Sequence, residues 1–147
     1  LFTEMTENLR AYKVNQHQHM PEILQEIERV TAHKAHMVFV PQVIPVSRGL
    51  ISTIYVRTNA DGEALVEAYR QRYQADQTPF VRVRAGQLPQ LRDVVGTNYC
   101  DVGLVFDAAQ RWLIIGSALD NLTIGAAGQA IQNFNLMYGF PETTALL

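Results

Sequence analysis

The chain has 147 residues, close to half of them apolar, and a net charge of -2 with no long block of like charge. That is enough chain to bury a core without staples, and one domain spanning 1–147 is the expectation. The charge balance argues against a nucleic-acid footprint or a disordered tail and leaves small molecules or other protein chains as partners.

The chain begins at Leu1 rather than an initiator methionine, which reads as a piece of something longer. Thr3 to Gln18 is polar without a sustained period and reads as an irregular entry with a short strand around Ala11 to Val14. Pro21 suits the first position of a helix, Glu22 suits its positive end, and Ile23, Ile27 and Val30 fall on one face, so a helix should run to near His33. His36 to Val40 and Leu50 to Thr58 read as strands separated by a segment with Pro41, Pro45 and Gly49. Asp61 can cap a second helix over Gly62 to Gln74, burying Leu65, Ala68 and Tyr69. Phe80 to Arg84 is a short strand. After a loop with Gly86, Pro89 and Gly96, Tyr99 to Phe106 and Arg111 to Ala118 should pair as a hairpin around Asp107 to Gln110. The last element is a helix over 123–138, ended by Gly139, whose small residues Ala126, Ala127 and Ala130 permit close approach. This order predicts an α+β fold, a mostly antiparallel sheet with helices on one face, and no alternating nucleotide-binding pattern.

His17-Gln18-His19-Met20-Pro21-Glu22 is the densest ionisable cluster. It sits ahead of a helix whose positive end disfavours a charged imidazole, and Glu22 lies near enough in sequence to orient a ring, so general acid/base work is one reading. The other is two ordinary surface histidines at a helix start. Arg48, between a proline-rich turn and a strand, is either a rigidly held guanidinium that grips a carboxylate or phosphate, or a solvated loop arginine. Arg82, Arg84 and Arg92 read as surface or interface charges. Cys100, the only cysteine, lies in a predicted strand and reads as packing. It cannot form an internal disulfide and has no zinc-type Cys/His companions, so a cytoplasmic setting and no metal site are expected. No run is long enough for a membrane span, no secretory signal pattern opens the chain, and no P-loop, nucleophile elbow or metalloprotease motif is present.

Four stretches, in order, resemble the N-acetyl-gamma-glutamyl-phosphate reductase family. They are Leu9 to Val14 leading into His17-Gln18-His19-Met20-Pro21-Glu22-Ile23; Val43 to Gly49; Gly96 to Asp101; and Asp120-Asn121-Leu122 through Gly125-Ala126-Ala127-Gly128-Gln129-Ala130. The resemblance implies the C-terminal, substrate-binding and dimerisation domain of a two-domain enzyme related to glyceraldehyde-3-phosphate and aspartate-semialdehyde dehydrogenases. A Rossmann domain elsewhere would hold NADP and supply a nucleophilic cysteine. The implied reaction, in arginine biosynthesis, turns N-acetyl-glutamyl 5-phosphate into the semialdehyde: thiolate attack expels phosphate, and the thioester then takes hydride from NADPH.

By the same resemblance His19 is the acid/base, with His17 and Glu22 orienting substrate, although the two histidines could exchange roles. Arg48 would bind the substrate's carboxylate or phosphate. Gln129 and Asn133 would approach the nicotinamide from a C-terminal helix packed back on the cofactor domain. The sheet is implied to make the subunit contacts of a homodimer or higher homo-oligomer, with Tyr55, Phe80 and Trp112 as suppliers of apolar area. Gln18 stands where arginine is frequent and Ile124 where lysine is, departures that bear on anion affinity or an interface. The rival expectation is a binding or dimerisation module that keeps the scaffold without catalysis.

Overall fold

A computed structural model describes residues 6–147; the first residues of the entry expected from Thr3 lie outside the described ones. The chain divides into two compact units, one through Ser47 and one from Arg48 onward.

In the first unit, strand β1 (Arg10–Ala11) pairs antiparallel with β2 (Gln42–Val43), and helix α1 spans His19–Thr31. The predicted strands at Ala11 to Val14 and His36 to Val40 do not form as such. Lys13 and Asn15 adopt left-handed backbone, with φ of 43° and 53°, and backbone in that conformation cannot continue a strand ladder. The facing segment is held by single bonds instead: Asn15 N–H to the Phe39 carbonyl at 2.9 Å, Phe39 N–H to Asn15 Oδ1 at 2.8 Å, and Tyr12 N–H to the Pro41 carbonyl at 3.0 Å. Helix α1 starts two residues earlier than Pro21. The proline is tolerated there because the first-turn N–H groups have no intrahelical acceptor anyway. The helix ends at Thr31, where Ala32 turns left-handed and returns its N–H to the Glu28 carbonyl.

The second unit is built on a four-stranded sheet ordered β3-β6-β5-β4, comprising β3 (Leu50–Arg57), β4 (Val81–Ala85), β5 (Cys100–Asp107) and β6 (Trp112–Leu119). Strands β5 and β6 pair antiparallel as the expected hairpin, β3 joins β6 antiparallel, and β4 alone runs parallel to β5. Helix α2 (Gly62–Arg72) is capped by Asp61, whose carboxylate accepts the N–H groups of Glu63 and Ala64. It lays Leu65, Val66 and Tyr69 on one face of the sheet, against Leu104, Leu113 and Ile115. Full burial of a side chain such as Leu104 or Leu113 contributes roughly 1.5–3 kcal/mol. Ala68, expected with them, is exposed instead.

On the opposite face Gly103 and Gly116 lie side by side in the register, and the loop Gln87 to Pro89 crosses directly over them; a Cβ on Gly116 would stand 2.7 Å from Pro89 Cδ. Beyond the sheet, Thr123–Ala127 forms a π-helical turn before α3 (Gly128–Tyr138) begins, a change from the single helix expected over 123–138. The cause is local. Asp120 captures the N–H groups of Leu122 and Thr123, and the wider ring closes with Gly125 N–H on the Asp120 carbonyl and Ala127 N–H on that of Leu122. The small residues there do admit a close neighbour, since a Cβ on Gly128 would collide with the Asn98 side chain. Gly139, with φ of 74°, ends α3. Among the described residues no helix is long and apolar enough to cross a membrane.

Candidate functional site

The first unit brings His17 and His19 together, with ring centroids 4.7 Å apart and nearly edge-on. The half-buried His17 ring also meets Tyr12 and Phe39 edge-on, both at 5.6 Å. Its Nδ1 accepts the backbone N–H of His19 at 3.2 Å. A neutral His17 with Nδ1 engaged as acceptor carries its proton on Nε2, so the nitrogen it offers outward is a hydrogen-bond donor. The His19 ring is exposed and has no hydrogen bond within the described residues, which leaves both nitrogens available to exchange a proton. Glu22 is exposed on the first turn of α1 and bonds neither ring, so orientation of the histidines comes from aromatic packing and the His19 backbone rather than from Glu22. Gln18, where an arginine is frequent in the resembled family, is exposed at the N-terminal boundary of the same helix.

The second unit holds Arg48 against Asp120. Arg48 Nε lies 3.1 Å from Asp120 Oδ2 and its Nη2 donates to Oδ1 at 3.3 Å. Arg48 is thus ion-paired to a buried carboxylate while about a third of its side chain, 36%, stays exposed. Asp120 is fully buried and also accepts from Gly96 N–H at 2.6 Å, Leu122 N–H at 2.8 Å and Thr123 N–H at 3.3 Å. Burial pushes its carboxyl upward, but the three N–H groups and the Arg48 charge outweigh burial and hold it below the usual carboxylate range. The next residue repeats the tie on the backbone, as Asn121 Oδ1 accepts Gly49 N–H at 2.6 Å. Gly49 has φ of 108°, and a side chain there would meet Leu91 and Val95, so only glycine makes the turn that carries Arg48 into β3. Asp120 and Asn121 are visible in the sequence only as polar residues ahead of a helix, the usual signature of a cap; the link to Arg48 is not.

Gln129 and Asn133 lie one turn apart on α3, both exposed and without a partner among the described residues. Arg82 and Arg84 are not free surface charges. Both clamp the buried Asp101, at 2.5 and 2.8 Å, and Arg82 lies 4.2 Å over the Tyr99 ring. Cys100 is half-buried beside Ser117 and packs as expected. Phe80, expected to supply interface area, is 3% exposed and packs beside Tyr99 instead, while Tyr55 is 64% exposed and Trp112 is half-buried.

Comparison with known proteins agrees with the fold and the motifs. N-acetyl-gamma-glutamyl-phosphate reductase from Staphylococcus saprophyticus is 44% identical over 149 residues, covering 99% of this chain and 43% of that protein. The enzyme of the same name from Geobacillus stearothermophilus is 44% identical over 148 residues, covering 99% and 42%. The chain therefore spans about two-fifths of the length of the curated relatives it matches. Among solved structures, aspartate semialdehyde dehydrogenase from Francisella tularensis superposes with a TM-score of 0.67 at 15% identity, covering 91% of this chain and 40% of that one. Aspartate semialdehyde dehydrogenase II from Vibrio cholerae gives 0.60 at 23%, covering 82% and 36%; these two likenesses speak to the fold. The family described as semialdehyde dehydrogenase, dimerisation domain, matches residues 1–121, and the chain belongs to it.

Proposed function

We propose that this chain is the substrate-binding and subunit-contact part of a longer, cytoplasmic NADPH-dependent reductase that converts N-acetyl-glutamyl 5-phosphate to the 5-semialdehyde and phosphate in arginine biosynthesis. The nucleophilic cysteine and most of the NADP site would lie in the rest of that protein. NADPH, when bound, supplies the hydride. The work of this chain's residues is to hold the anionic substrate and to move a proton. His19 acts as the acid/base; His17 donates from Nε2 to a substrate oxygen; Glu22 orients the substrate; Arg48 binds its carboxylate or phosphate; Gln129 and Asn133 meet the nicotinamide.

One observation supports the division between the histidines. His17 has Nδ1 committed to the His19 backbone, whereas the His19 ring has no such commitment. The test is steady-state kinetics of the full-length enzyme with His19→Asn and His17→Asn after folding is verified. General acid/base catalysis is worth roughly 10²–10⁴ in rate. His19→Asn should lose that much in kcat while His17→Asn chiefly raises KM. Wild-type turnover by both variants would remove the histidines from the chemistry and favour a scaffold without catalysis in this chain.

A further inference from the structure

Arg48 is a third exposed while the carboxylate it faces is fully buried, so the pair is asymmetric. Asp120 is fixed independently of the arginine: three backbone N–H groups, from the loop at Gly96 and from the start of the π-helical turn, already aim both of its oxygens. The Nε contact with Oδ2 is an ion pair without a hydrogen bond, and Nη2 alone donates; because the guanidinium is planar and rigid, a carboxylate lying along its Nε/Nη2 side still fixes which edge is left over. That remaining edge, Nη1 with the second hydrogen of Nη2, has no acceptor among the described residues. It has the spacing to receive two oxygens of one carboxylate or phosphate.

We propose that Asp120 is a positioning residue that clamps the Nε side of Arg48 so that the Nη1/Nη2 edge is presented, already oriented, to an anionic group of the substrate. This rests on the reading of Arg48 as a substrate-binding residue. Holding a long side chain in place before binding removes an entropic cost that association would otherwise carry, which is why a clamp raises affinity without touching substrate. The backbone tie from Gly49 to Asn121 keeps the root of the same side chain in register with the clamp.

The experiment is a set of variants of the full-length enzyme, assayed in the direction that consumes semialdehyde, inorganic phosphate and NADP, so that separate KM values report the two anionic groups. Arg48→Met removes the group, Arg48→Lys keeps its charge without its fork, and Asp120→Ser keeps a side-chain oxygen for the helix start while releasing the guanidinium. The expected result is that all three raise the same KM, about tenfold or more for Arg48→Met, as for a lost hydrogen bond to a charged group, with kcat changing less. A rise in the phosphate KM identifies phosphate as the anion; a rise in the semialdehyde KM identifies the carboxylate.

In the Arg48→Met background, Asp120→Ser should add nothing to KM although it still lowers the melting temperature, because only its effect through Arg48 reaches the substrate. A further multiplication of KM in that background overturns the proposal, as does a near-wild-type KM for Arg48→Lys, a variant at a partly exposed position that does not depend on the buried carboxylate being replaced. If Arg48→Met itself leaves both KM values unchanged, it is the underlying reading of Arg48 that fails.

Discussion

Asp120 gathers three backbone N–H groups and the Arg48 guanidinium onto one buried carboxylate. Its carboxyl is held below the usual range in the folded chain, because the N–H groups of Gly96, Leu122 and Thr123 and the charge of Arg48 overcome the opposing effect of burial. A carboxyl depressed by folding contributes stability that is complete above its unfolded value, about 3.9 for an aspartate, and is lost as pH falls through the folded value. Urea midpoints at pH 6 and pH 3 should therefore fall more steeply for the wild type than for Asp120→Asn; parallel slopes would show that this carboxylate does not supply the acid sensitivity. The histidine pair was legible in the sequence because its members are two residues apart. The role of Asp120 was not, because its donor at Gly96 and its ion-pair partner Arg48 come from distant parts of the chain that only the fold brings together.

Among the elements, the β5–β6 hairpin and α2 follow their sequence signals to within a few residues, since alternation and an Asp cap act locally. The strand expected at His36 to Val40 fails for a non-local reason, the left-handed Lys13 and Asn15 opposite it. The helix expected from Thr123 starts instead as a π-helical turn because Asp120, outside the helix, takes its first N–H groups. Gly103 illustrates a demand that no local pattern reveals: a Cβ there would strike the Gln87 carbonyl and stand 2.8 Å from the Leu88 Cα, and backbone atoms cannot swing aside as a side-chain end can. Gly103→Ala should cost on the order of 1–3 kcal/mol, as overpacking does, despite the better strand propensity of alanine. Equilibrium denaturation measures it, and a loss within about 0.5 kcal/mol, the range of ordinary surface substitutions, would mean that the Gln87–Pro89 loop is not pressed onto the sheet.

At the scale of the molecule, the sheet has one face packed beneath α2 and another that is only partly covered. Beyond the loop over Gly103 and Gly116, the row Tyr55–Ile114–Val105 is partly open, with Trp112 in the next row. Tyr55, Ile114 and Trp112 make a shallow recess with Asp107 and Gln110. The composition suits an interface, aromatic at its centre and polar at its edge. If a second copy packs here, as proposed for this family's dimerisation domain, Tyr55→Arg should weaken self-association by about tenfold or more, because an exposed tyrosine at an interface centre is a frequent source of binding energy. Sedimentation velocity over a dilution series reads this directly, and an unchanged sedimentation profile would place the contact elsewhere.

A second copy on the partly open row would bear on the protein's abundance. A fold that covers part of its sheet only by meeting its own copy has a folded population governed by mass action, so each halving of expression removes some of the stabilisation that the remaining copies enjoy. A mild destabilising substitution in such a chain is therefore felt most where the gene is weakly expressed, and overproduction alone can mask it.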